Sequence, residues 1–171
     1  LEPAAMKFAL GENPKKTYSG RNEAPATRMA TAALMREQLR KALEYAERIS
    51  KHEADPENED APDYDAALEA LVPVVQGKLP VHFHAHRADD IATALRIAKE
   101  FHLNYVLIHA TEGYLVADIL AREGARAVVG PIIGDRSKPE LAHQRVTNAA
   151  RLVEAGVPVA VGGLEMLVAQ A

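Results

Sequence analysis

The chain contains no cysteine. That removes disulfides, iron–sulfur clusters and thiolate zinc sites together, and it fits a reducing, cytoplasmic setting. No apolar run approaches the roughly 20 residues of a membrane span. The first ten residues, "LEPAAMKFAL", lack the basic start and long apolar centre of a signal peptide. No block of basic residues occurs and the net charge is -4, so there is no electrostatic case for nucleic acid or an anionic membrane. Any metal ligand must therefore be histidine, aspartate, glutamate or a modified lysine.

What remains is globular. The 171 residues are 48% hydrophobic and 26% charged, enough for one domain with a real core. "AMKFAL" predicts a short strand. "GENPKKTYSGRNEAPATR", rich in glycine, proline and asparagine, reads as a long loop. "TRMATAALMREQLRKALEYAERIS" has helical spacing of its apolar residues, with Thr27 as N-cap. Residues 51–65, with seven acidic residues and two prolines, read as a solvated acidic loop. "AALEALVPVVQG" predicts a helix bent or interrupted at Pro73 and ended by Gly77.

From there the pattern is regular. The strands "LPVHFHA", "LNYVLIHA", "ARAVVGPI" and "VPVAVGG" alternate with the helices "ADDIATALRIAKEFH", "GYLVADILAREG" and "KPELAHQRVTNAARLVEAG", the last only mostly helical. Strand–helix units of this length imply parallel βαβ connections, and continuous apolar strands imply a sheet covered on both faces. The fold class is α/β. No G-x-G-x-x-G follows the first strand. Either an open Rossmann-type sheet or part of a (β/α)8 barrel accommodates the units. A complete barrel takes about 250 residues, so the second reading makes the chain an incomplete barrel domain over 1–171.

Three of the seven histidines, His82, His84 and His86, fall within "VHFHAHRADD" at every second position. Residues so spaced share one face of a strand. "RADD" reads as the turn into the next helix, capped by Asp89 or Asp90. His84 and His86 then lie at the C-terminal end of their strand, where active sites of barrels and parallel sheets form. His109 ends the following strand. Histidines at the C-terminal ends of neighbouring parallel strands can converge on one ion. His82 sits further from that rim. His52, His102 and His143 read as structural.

"HAHRADDI…IHATEGY" resembles the amidohydrolase superfamily, specifically its imidazolonepropionase-related metal-dependent hydrolases. In that group the two stretches lie on barrel strands 5 and 6. "AAMKFALGENPK", "TRM" and "RSKPEL" resemble it too, so the likeness runs from about residue 2 to 161. It implies the central part of a (β/α)8 TIM barrel, about strands 4 to 8, holding one or two divalent metals, usually Zn2+. It implies His84 and His109 as ligands and Lys7, in the strand-4 position, as a carboxylated bridging ligand; the alternative for Lys7 is a surface or ion-paired lysine. His86 would bind substrate, support the site or act in catalysis. Arg87 would bind a substrate carboxylate or simply pack at the helix turn. Glu112 and Tyr114, on the same rim, would contact substrate, or cap the next helix.

The family's strand-1 His-x-His and strand-8 Asp have no counterpart here, and a missing segment is expected near Gly162–Gly163. The reaction implied is metal-assisted hydrolysis of an amide or cyclic amide C–N bond in a small-molecule or peptide-like substrate, within a longer parent chain. A peptidase of the same superfamily and a catalytically inert metal-binding fragment are the alternatives. Because a partial barrel exposes strand edges, a homo-oligomer or the remainder of the parent chain is the expected partner.

Overall fold

The computed structural model describes residues 3–133, 136 and 138–162. The expected junction at Gly162–Gly163 and the segment "LEMLVAQA" extend outside these residues. Five strands form one sheet: β1 (Met6–Ala9), β2 (Val81–Ala85), β3 (Tyr105–His109), β4 (Ala127–Val129) and β5 (Val159–Val161). Their order in space is their order in sequence, and every neighbouring pair is parallel. A Rossmann-type sheet reverses direction at a switch point. This one never does, and right-handed crossovers then put all connecting helices on one side. That is the wall of a (β/α)8 barrel, so the fold is a partial TIM barrel.

Side-chain alternation divides the sheet between two faces. Val81, Phe83, Ala85, Leu107, Ala127 and Val129 belong to the core that packs beneath the helices, together with Leu39, Ile91, Ile97, Leu120 and Leu152. Phe83 is its centre: it is fully buried, and Phe8 and Tyr105 meet its ring edge-on at 5.5 and 6.2 Å between centroids. The other face carries Lys7, Ala9, His82 and His84, because Lys7 pairs with His82 and Ala9 with His84.

The helices are α1 (Glu12–Ser19), α2 (Arg28–Ala54), α3 (Ala66–Val75), α4 (Ala88–Glu100), α5 (Ala117–Arg122) and α6 (Asn148–Glu154), with short 3-10 turns at Gly113–Leu115 and Pro139–Leu141. Thr27 caps α2 as expected, its hydroxyl accepting from Ala30 N at 3.0 Å. Asp65 caps α3 in the same way.

Several expectations require correction. The segment after β1 opens as a helix, α1, not a loop. Its start is held by a distant contact, Glu12 N donating to Glu140, and Glu12 pairs with Lys16 one turn on. The acidic loop begins at Asp55 instead of residue 51, since α2 runs to Ala54 with Lys51 paired to Glu47. Pro73 lies inside α3 without ending it; its carbonyl takes Lys78 N and Leu79 N as the chain turns. Neither Asp89 nor Asp90 caps the first turn of α4 by accepting from Ala88 N; the Glu112 carboxylate does so, at 2.8 Å. The last helical segment is helical only over α6, because Pro139–Leu141 forms a separate turn. Among the described residues no helix is long and apolar enough to cross a membrane.

Phe83→Ala removes the ring on which β1 and β3 converge. The expected loss is about 3–5 kcal/mol, read as a shift of the urea unfolding midpoint at unchanged slope.

Candidate metal centre

His84 reaches the open face of the sheet by ordinary alternation. His86 follows one residue after β2 ends, and its side chain stays with that of His84, ring centroids 4.8 Å apart. His109 arrives by another route. In register it stands in the row Ala85–His109–Val129, whose other two members are in the helix-facing core. Its φ is 74° and that of Ala110 is 42°. This left-handed backbone, costly for a residue with a β-carbon, re-aims the imidazole. The ring lies 4.5 Å from that of His84 and stacks on His86 at 4.7 Å with 16° between planes. One ligand atom from each of His84, His86 and His109 falls within 4.8 Å of the others.

All three rings are buried. Burial, followed by the neighbouring imidazole, pushes His84 down from 6.5 to about 3. His86 falls to about 2 for the same two reasons, and burial lowers His109. The ammonium groups of Lys7 and Lys138 act in the same direction on His84 and His109, and Lys138 also acts on His86. The imidazoles are therefore neutral at pH 7, the form that ligates metal.

Their hydrogen bonds are incomplete in a specific way. His109 Nδ1 is 2.6 Å from Gly130 O. A carbonyl only accepts, so Nδ1 carries the proton and Nε2 presents its lone pair. That Nε2 is buried with no partner, as is His84 Nδ1. His84 Nε2 lies 3.2 Å from the Asn13 amide, whose oxygen accepts from Lys138 at 2.8 Å. His86 Nδ1 is 2.8 Å from the Thr111 hydroxyl. The Asn13 NH2 only donates, so in the metal-free chain His84 Nε2 accepts and Nδ1 carries the proton. His109 Nε2 offers its lone pair directly, and His84 Nδ1 offers one when the neutral ring takes its other tautomer, a pair that fits a divalent ion favouring nitrogen donors.

The neighbouring polar groups form one junction. Gly11 has φ 83°, and a Cβ there would stand 2.7 Å from Glu140 Oε2 and 3.2 Å from Asp90 Oδ2. Arg28 Nε donates to both oxygens of the buried Asp90, at 3.0 and 3.2 Å. Burial raises the pKa of both Asp90 and Glu140. The junction thus joins "GEN", "TRM", "RADD" and "KPE" into one packed unit beside the histidines.

The other expected site residues sit apart. Lys7 is exposed, level with His82 on the cluster's face and two residues short of the His84 level. Arg87 lies before α4 and is bound through Nε and Nη2 to Asp89 at 3.0 and 2.9 Å. Glu112 is buried between Ala88 N and His143 Nδ1, the latter at 2.7 Å. Tyr114 bonds the His143 carbonyl and carries Arg145 over its ring. Glu140, Asn13, Thr111 and Lys138 were not singled out from sequence, although each lies in a stretch that carried the family resemblance.

No protein-family model matches the chain. It is 28% identical over 129 residues to the curated protein amidohydrolase tasK of Hapsidospora irregularis, covering 68% of this chain and 13% of that protein. The crystal structure of an amidohydrolase from Thermotoga maritima MSB8 is 40% identical, with a TM-score of 0.86, over 94% of this chain and 41% of that one. These relatives support the amidohydrolase superfamily. The chain spans less than half the length of either.

The neutral burial of the three histidines sets a pH dependence. Their pKa values are lowered on folding, so the unfolded chain binds more protons below pH 6.5. Stability is complete above that pH and falls as pH drops towards 3, by up to about 1.4 kcal/mol per unit for each histidine. Urea titrations of the metal-free chain between pH 7.5 and 5 are expected to show this fall. Replacing His86 by Gln should make the slope shallower.

Proposed function

We propose that this chain carries part of the active site of a metal-dependent amidohydrolase of the imidazolonepropionase-related group, acting on an amide or cyclic amide C–N bond. The observation that supports it most is the pair of buried, partnerless nitrogens, His84 Nδ1 and His109 Nε2, on rings 4.5 Å apart. These would hold one divalent ion, for which Zn2+ is the natural choice among imidazole sites. An ion there supplies activation of water and polarisation of a carbonyl.

The chain's own residues prepare the site. The Gly130 carbonyl fixes the tautomer of His109 and orients its ring. Burial keeps the imidazoles neutral, Lys138 adds to this at all three and Lys7 at His84 and His109, and Lys7 is the candidate for carboxylation if a second ion binds. Arg87 and Tyr114 lie on the rim where substrate would approach. In the present geometry Arg87 must leave Asp89 before it can take a substrate carboxylate. Glu112 supports the rim from beneath, by holding the start of α4.

Co2+ titrated into the 171-residue chain is expected to give a saturable d–d absorption band. His84→Ala and His109→Ala should each abolish it, and Arg87→Ala should leave it unchanged. Unaltered Co2+ binding in both histidine variants would refute the ligand assignment. Hydrolysis is to be screened with cyclic amides and N-acyl amino acids on the parent protein; a preference for N-acyl amino acids that is lost in Arg87→Ala would favour the peptidase branch.

A further inference from the structure

The three clustered histidines are not equivalent. His84 and His109 each keep a buried nitrogen without a partner. His86 has a partner or a facing group at both of its nitrogens. Nδ1 is 2.8 Å from Thr111 Oγ1, and Nε2 faces Glu140 Oε1 at 3.8 Å. Glu140 is 1% exposed. Its Oε2 accepts from Glu12 N at 2.9 Å, whereas its Oε1 is buried with no hydrogen-bond partner. A buried carboxylate oxygen without a donor is an unstable arrangement, and an imidazole nitrogen stands in front of this one.

We propose that Glu140 is the positioning residue of the cluster: its carboxylate takes the Nε2–H of His86 and holds that ring as a support for the metal site instead of a third ligand. The gap, 3.8 Å against about 2.8 Å for a charge-assisted bond, is an ångström of side-chain rotation. The Thr111 hydroxyl then donates to Nδ1. With both nitrogens engaged, His86 has no lone pair to lend. It serves as a wall, stacked on His109 and edge-on to His84. The same carboxylate secures the other side of the cluster. By holding Glu12 N it fixes the start of α1, and the next residue, Asn13, touches His84 Nε2. Second-shell carboxylates commonly orient imidazoles in this way; here the carboxylate comes from the turn after β4 and reaches across to β2 and α1. Its consequence for metal binding rests on the reading of the site given above; the hydrogen bond itself does not.

The test is the tautomer of His86, read from imidazole 15N shifts of the metal-free 171-residue chain at pH 7. The neutral Nε2–H form is expected. The Nδ1–H form overturns the proposal without any variant. Glu140→Gln sharpens the test. Its one carbonyl oxygen must still serve Glu12 N, so its amide N–H2 faces His86 Nε2, and the ring is expected to switch to Nδ1–H. The same tautomer in both proteins overturns the proposal. In Co2+ titrations, His86→Ala should weaken binding by about tenfold, where His84→Ala abolishes it. An equal loss in the two variants makes His86 a ligand and overturns the proposal. Should the wild-type chain bind no Co2+, the metalloenzyme reading fails by itself, and the tautomer switch still decides the role of Glu140.

Discussion

The site depends on one backbone departure, the left-handed turn at His109. A parallel sheet allots side chains to its two faces in strict alternation. The pairing of Ala85 with His109 would send that imidazole into the core beneath the helices. The positive φ returns it to His84. A conformation of this kind costs of order 1–3 kcal/mol and persists only where the surroundings enforce it. Two bonds enforce it here: His109 Nδ1 to Gly130 O, and Ala110 N to Ala85 O. Stability is spent at the strand end, and the His109 ring stands beside that of His84 as a result.

A second layer of contacts keeps the cluster in place from loops that are distant in sequence. The buried carboxylates of Asp90 and Glu140 face each other across Gly11, which has no side chain to keep them apart. Arg28 neutralises Asp90, and Glu12 N serves Glu140. Burying several charges is expensive unless each is paired. The arrangement therefore ties the β1–α1 turn, the start of α2, the start of α4 and the turn after β4 into one unit. The histidines are positioned by that unit as much as by their own strands.

Much of this was legible beforehand, for definite reasons. The strand–helix alternation, the placement of His84 and His109 at strand ends and the Thr27 cap all follow from short-range periodicity. The barrel wall as against a Rossmann sheet was left open by pattern alone, and the consecutive strand order resolves it. What escaped was long-range. The composition after β1 is that of a loop, and helix α1 forms there because its start is stabilised by Glu140, 128 residues away. A lone glutamate in "KPEL" carries no mark of burial, so residue types alone do not reveal Glu140. The redirection of His109 was invisible because φ is not written in residue types. Its arrival beside His84 was anticipated, but by a simpler route than the one the chain takes.

Gly130 shows what such economy demands. Its carbonyl sets the tautomer of His109, and its α-carbon lies so close to the end of β5 that a Cβ would fall 2.0 Å from Gly162 O. Any side chain there would push the neighbouring strand outward and tilt the carbonyl away from the imidazole. Gly130 is the pin on which a candidate ligand hangs, and it has no room for a side chain of its own.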